Sequence, residues 1–173
     1  MRGVVVHEWT DFENLKLEHD VPVPPVGERQ VRLAIKASAI SIALTLFVSG
    51  RYQRKPPLPF VPGGETAGIV TEVGPGVDRF KPGDRVAAVL DWGGLAEEGV
   101  VDDATVYSIP DEMPFHLAAS LTPSYATSMA ALTWPHLLNV KAGETLLVHG
   151  AAGGVGIAAV EIGKILGATV IGT

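Results

Sequence analysis

The chain of 173 residues has no cysteine. That excludes disulfides, thiolate nucleophiles, iron–sulfur clusters and every zinc site built on sulfur. Long apolar runs are missing too. Val4–Val6 is cut off by His7 and Glu8, too early for a signal-peptide core, and no window reaches the roughly 20 apolar residues of a membrane span. The compartment expected on these grounds is the cytoplasm, with no membrane partner. Basic residues are few: 13 Lys and Arg stand against 19 Asp and Glu, for a formal net charge of −6. No basic block is long enough to track a phosphate backbone, so nucleic acid is not an expected partner. With 47% hydrophobic residues, the profile is that of a folded chain, long enough for one domain of about 100–150 residues with some chain left over.

What the chain has in quantity is turn formers, 20 glycines and 13 prolines. They separate short apolar stretches: Val4–His7, Leu15–Glu18, Val31–Ala37, Thr66–Val73 and Arg85–Leu90 read as strands, and Val31, Leu33 and Ile35 alternate with polar or small neighbours. Between them lie Pro22-Val23-Pro24-Pro25, Pro56-Pro57-Leu58-Pro59, Gly74-Pro75-Gly76 and Lys81-Pro82-Gly83-Asp84. Such segments set φ near −65° or supply the positive φ of tight reversals. A chain punctuated this often leaves no room for long helices, and its first two-thirds read as a small, mainly antiparallel β-barrel or sandwich.

The pattern changes after Pro114. Leu117, Leu121, Tyr125, Met129, Leu132 and Leu137 recur at helical spacing, with breaks expected near Pro123 and Pro135. Thr145–His149 reads as a strand, Gly150–Gly156 as a turn, the residues through Leu166 as an apolar helix closed by Gly167, and Thr169–Ile171 as a second strand. This is one βαβ unit. No internal repeat interrupts the chain.

A glycine-rich turn between a strand and a helix is a place where a dinucleotide pyrophosphate can sit. Amides at the helix N-terminus point at the anion, the helix dipole favours it, and small residues let it approach. Here the pattern is Ala151-x-Gly153-x-x-Gly156, with alanine at the first glycine position. Candidate cofactor residues are therefore Ala151, Gly153, Gly154, Val155 and Gly156. The other reading of the same residues is a close-packing turn that binds nothing. The acidic or basic group that separates NAD from NADP falls about 20 residues past such a turn, at the end of the chain, so cofactor preference is not legible.

Several stretches together resemble one family. They are Gly50-Arg51-Tyr52, Pro59 to Gly68 with Gly63-Gly64-Glu65, Val73-Gly74-Pro75-Gly76-Val77, Phe80 to Val86, and Gly143 to Gly156. In this order they are similar to the medium-chain dehydrogenase/reductase superfamily in its zinc-free quinone oxidoreductase branch, along the entire chain. The resemblance implies a mixed α/β fold: a GroES-like, mainly antiparallel β-barrel catalytic domain over 1–122, then the first βαβ unit of a Rossmann domain over 123–173. It further implies NADPH, or NADH, as cofactor, and a quinone or enone substrate held in the cleft between the domains. Members are about twice this length, which suggests a chain truncated within its Rossmann domain, and the full-length protein is expected to be a homodimer.

No metal is expected. Zinc-dependent relatives place Cys and His where this chain has Ser41 and Gly64, and a catalytic zinc wants three protein ligands. None of the five histidines has ligand spacing. Without a metal, a substrate carbonyl is polarised by hydrogen bonds while a nicotinamide delivers hydride. The resemblance puts Tyr52 near that carbonyl and implies an Asn where Ser41 stands; Leu44 departs from a common Asp. Ser41 can still donate one hydrogen bond. Tyr52 also reads as a rim residue packed on Pro56 or Pro57. Thr127 matches a threonine that approaches the nicotinamide carboxamide, and also reads as a helical threonine bonded back to its own helix. Glu65 reads as a structural carboxylate.

The function expected is a zinc-independent oxidoreductase carrying hydride from NAD(P)H to a quinone or conjugated carbonyl. Alternatives are an enoyl-thioester or enal C=C reductase of the same fold, and a noncatalytic fragment or binding protein.

Overall fold

The computed structural model describes all 173 residues. They divide into two compact units, Met1–Ser120 and Leu121–Thr173.

The first unit is built on an antiparallel sheet of five strands in the order β6-β3-β4-β5-β7. β3 (Gln30–Ser38) and β4 (Glu65–Val73) are its long members, joined by β5 (Arg85–Val89), β6 (Glu98–Asp102) and β7 (Val106–Ser108). The alternation along β3 places Val31 and Leu33, both fully buried, against Val70, Val86, Val101 and Val106. That is the half-buried strand pattern, one face apolar and one face solvated. A two-stranded sheet of β1 (Gly3–Val4) and β2 (Leu17–Glu18) lies outside the main one. The expected strand at Val4–His7 is shorter than read; Val6 makes only an isolated bridge to Phe60, and its neighbour His7 turns out to pair with Glu18 at 2.7 Å.

Between β3 and β4 the chain forms α1 (Ile42–Val48), a helix not expected from the turn-rich reading. Its seven residues are apolar apart from Thr45 and rich in β-branched types, a composition that favours strands. Val48 and Leu44 are its buried side chains, and Val48 packs with Val6 and Phe60. Burial decides the element here.

A second correction concerns α2 (Phe115–Thr133), which runs unbroken through Pro123. The proline forfeits one helical hydrogen bond, but intact helix on both sides outweighs that loss. The other break is where it was read: the helix stops at Thr133, just before Trp134-Pro135.

In the second unit β8 (Thr145–Val148) and β9 (Thr169–Gly172) pair in parallel, Thr145 opposite Thr169 and Val148 opposite Gly172. α3 (Gly154–Ile165) is the crossover between them. Leu146 and Val148 of β8, Ile162 of α3 and Leu132 of α2 form the core of this unit. Gly167 follows α3 in the left-handed region, φ +81°, and its amide donates to the Lys164 carbonyl at 3.0 Å. A residue without Cβ ends the helix there at little cost.

Candidate functional site

The glycine turn links the end of β8 to the start of α3. Gly150 takes φ +66°, a conformation open to glycine and costly to most side chains. Its carbonyl accepts the Gly153 amide at 2.9 Å, closing the turn. The Gly153 carbonyl then accepts from Ile157 at 2.8 Å, the first helical bond of α3. Gly153 is the N-cap residue and carries no capping side chain. Consequently no backbone carbonyl takes the amides of Ala152, Gly154, Val155 or Gly156. Ala152, Gly154 and Val155 are exposed residues, so three of these four donors belong to the solvent-facing part of the turn.

Gly156 alone of the turn is buried. A Cβ there would stand 2.1 Å from the Gly150 oxygen and 2.8 Å from Cα of Ala151. Only glycine lets the helix start this close beneath the turn. Ala151 is tied down from the far side, its amide donating to the Thr173 carbonyl at 3.1 Å. Next to it, His149 Nδ1 meets the Thr173 hydroxyl at 2.9 Å.

Three side chains of α2 face α3 within this unit. The buried Ser128 hydroxyl donates to the Val155 carbonyl at 2.7 Å, the Ser124 hydroxyl lies beside Gly154, and the Tyr125 hydroxyl bonds the Glu161 carboxylate. That last bond, with the carboxylate's charge, pushes the phenol's ionisation upward. Sequence reasoning passed over Ser124 and Ser128; the available signal was two hydroxyls four apart, hence on one helical face. Thr127 is exposed and its hydroxyl has no protein partner, whereas Thr133 bonds back to the Met129 carbonyl at 2.7 Å.

In the first unit Ser41 and Tyr52 occupy opposite ends of α1. Ser41 is the N-cap residue, but its side chain makes no capping bond; its hydroxyl is directed at Glu65, the first residue of β4. Burial pushes the Glu65 carboxyl above the usual carboxylate range, and the Ser41 hydroxyl partly opposes that shift. Tyr52 follows the helix, its amide donating to the Leu46 carbonyl at 3.0 Å. Its ring stacks on Phe47, centroids 4.3 Å apart and planes 23° from parallel, so one of its packing partners is the helix itself. Nearby, Arg54 grips Asp91 through two bonds of 2.6 and 2.9 Å. That pairing raises the guanidinium's already high affinity for its proton.

No group of three or more His, Cys, Asp or Glu side chains is placed to hold a metal ion, and no helix is long and apolar enough to cross a membrane.

Residues 27–111 match the alcohol dehydrogenase GroES-like domain. All of the chain aligns with human quinone oxidoreductase at 41% identity, spanning 52% of that protein. The chain belongs to the medium-chain dehydrogenase/reductase superfamily. Within it, the chain falls on the quinone oxidoreductase branch. Escherichia coli quinone oxidoreductase, solved in complex with NADPH, superposes with a TM-score of 0.86 at 32% identity, over 99% of this chain and 52% of that one. The CurK enoyl reductase superposes with a TM-score of 0.86 at 27% identity, over 99% and 53%. The chain thus spans about half the length of the curated relatives it matches. In these terms the five-stranded sheet is the GroES-like part of a medium-chain dehydrogenase/reductase, and β8-α3-β9 is the opening of its Rossmann part.

Proposed function

We propose that this chain serves a reductase that moves hydride from NADPH, or NADH, to a quinone or a related conjugated carbonyl without zinc. The observation that carries the reading is the open first turn of α3. Four amides without carbonyl partners, a bare N-cap and a buried glycine beneath the turn make a place where a linked diphosphate meets donors and no side chain. The residues present fit the cofactor, and a structural relative on the same branch is known in complex with NADPH.

On this reading Ala151, Gly153, Gly154, Val155 and Gly156 hold the pyrophosphate, chiefly through the amides of α3. The unpartnered Thr127 hydroxyl is free for the nicotinamide carboxamide. When bound, the dihydronicotinamide supplies the hydride. The chain's own task is then to polarise the acceptor, and Tyr52 and Ser41 are its donors for that purpose. Stacking on Phe47 fixes the plane of Tyr52, while Ser41 divides its hydroxyl between substrate and Glu65. Independence from zinc rests on the residue types: Ser41 and Gly64 supply neither thiolate nor imidazole. The same reading takes the cytoplasm as the compartment and a homodimer as the state of the full-length protein.

A second reading, reduction of the C=C bond of an enal or enoyl thioester, is favoured by the likeness to an enoyl reductase. Both use the same hydride donor and differ in which atom of the conjugated system receives it.

The test is a titration of the purified chain with NADPH, followed by nicotinamide fluorescence, and then NADPH oxidation with a benzoquinone, an enal and an enoyl-CoA. Saturation at micromolar NADPH with fastest turnover of the benzoquinone is the expected result. Faster turnover of the enal or thioester selects the second reading. Absence of binding overturns both and leaves a noncatalytic chain.

A further inference from the structure

Only three polar or charged residues of this chain are fully buried, Thr66, Asp103 and Ser128. Ser128 is the one that lies on α2 in the second unit, and its bonding is unlike that of its neighbours. A hydroxyl in a helix interior ordinarily satisfies itself on a carbonyl three or four residues back. Ser120 does so with Leu117 at 2.9 Å and Thr133 with Met129 at 2.7 Å, both on the same helix. Ser128 instead donates across to the Val155 carbonyl of α3 at 2.7 Å.

Val155 is the second residue of α3, and its amide is among those without a backbone partner. Nothing in the turn caps that helix, since Gly153 brings no side chain. The bond from Ser128 is therefore the side-chain anchor on the helix's first turn. A second anchor, Tyr125 to Glu161, lies further along the same two helices, and the Ser124 hydroxyl abuts Gly154.

We propose that Ser128 is a positioning residue for dinucleotide binding: by holding the Val155 carbonyl it fixes the direction in which the amides of Gly154, Val155 and Gly156 point. The inference rests on the reading of the turn as a pyrophosphate site. Ser128 touches no cofactor atom in this scheme and acts through Val155. Val155 lies within α3, so Ser128→Ala leaves the helix in place while freeing the orientation of its first turn.

The experiment compares the purified full chain with Ser128→Ala, using NADPH as the probe. The dissociation constant is read by nicotinamide fluorescence, and the environment of the bound pyrophosphate by its 31P resonances. The expected result is affinity about five- to tenfold weaker, because amides no longer pre-set must be ordered when the cofactor binds, with displaced pyrophosphate resonances. Ser120→Ala, whose hydroxyl bonds its own helix, is expected to leave both unchanged. Ser128→Cys keeps the volume but weakens the donor, and serves if the alanine variant fails to fold. Wild-type affinity and resonances in the Ser128 variant, while the parent chain binds NADPH, overturn the positioning role alone. A parent chain that binds no NADPH overturns this inference together with the cofactor reading.

Discussion

The Ser41 hydroxyl at the head of α1 faces the Glu65 carboxyl at the head of β4, and burial drives that carboxyl's affinity for a proton above the ordinary range against the hydroxyl's opposing pull. The folded state therefore favours the protonated acid. Stability from this group is fully present below the ordinary carboxylate range and is lost as pH climbs through the raised folded value. Glu65→Gln removes that slope, so the variant gains on the parent chain at neutral pH and loses its advantage in acid. Ser41→Ala takes away the hydroxyl and lifts the Glu65 titration further. A 13C titration of the Glu65 carboxyl checks this; an unmoved midpoint in Ser41→Ala contradicts the contact.

Two glycines of the same turn are expected to respond in opposite ways. At Gly153, φ is −79° and an added Cβ meets only the Gly150 oxygen, at 3.4 Å. Gly153→Asp caps α3 with its own carboxylate and stabilises the chain by roughly 0.5 kcal/mol. That carboxylate also takes the place of an incoming anion, so NADPH binding is lost. Gly156→Ala forces a methyl against backbone and costs about 1–3 kcal/mol. Thermal unfolding and NADPH titration of the two variants separate a site effect from a folding effect. Tight NADPH binding by Gly153→Asp would place the cofactor elsewhere.

Asp103 is buried at 1% exposure, and Arg29 stands 3.0 Å from its Oδ2 as an ion pair without hydrogen-bond alignment. Arg29 itself is more than half exposed, so water softens the pair. Arg29→Met strands a buried carboxylate and is expected to cost roughly 2–3 kcal/mol. In an Asp103→Asn background the same change is expected to cost far less, because no charge remains to strand. A denaturant cycle over the four chains measures the coupling, and simple additivity refutes it.

The legible parts of this molecule are those in which short-range pattern and final structure agree. Val31, Leu33 and Ile35 announce β3 by alternation, and the turn from Gly150 to Gly156 announces its conformation by composition, because few other residues could follow that path. α1 was hidden for the converse reason: Ile42 to Val48 has the residues of a strand and becomes a helix through packing by Leu44 and Val48. β6 and β7 are five and three residues long, and Gly99 interrupts the former, so neither offers a countable period. Within the site, the amides were legible and their supports were not. Ser128 meets Val155 across 27 positions and Ser41 meets Glu65 across α1; such pairings belong to tertiary structure, and no local spacing encodes them.

Ser124 and Gly154 supply the last case. A Cβ on Gly154 would stand 3.0 Å from the Ser124 Oγ and 4.0 Å from its Cβ. Only the hydroxyl is in the way, at the flexible end of a short side chain. Gly154→Ala alone is expected to cost a few tenths of a kcal/mol or about break even, since rotating Ser124 aside offsets the preference of alanine over glycine in a helix, about 1 kcal/mol. With Ser124→Ala the obstruction is gone, and Gly154→Ala becomes stabilising by roughly 0.5 kcal/mol. Thermal unfolding of the four chains gives the coupling, whose expected sign is favourable in the double variant. A coupling of zero means that the helices adjust without strain and that Ser124 does not dictate glycine at 154.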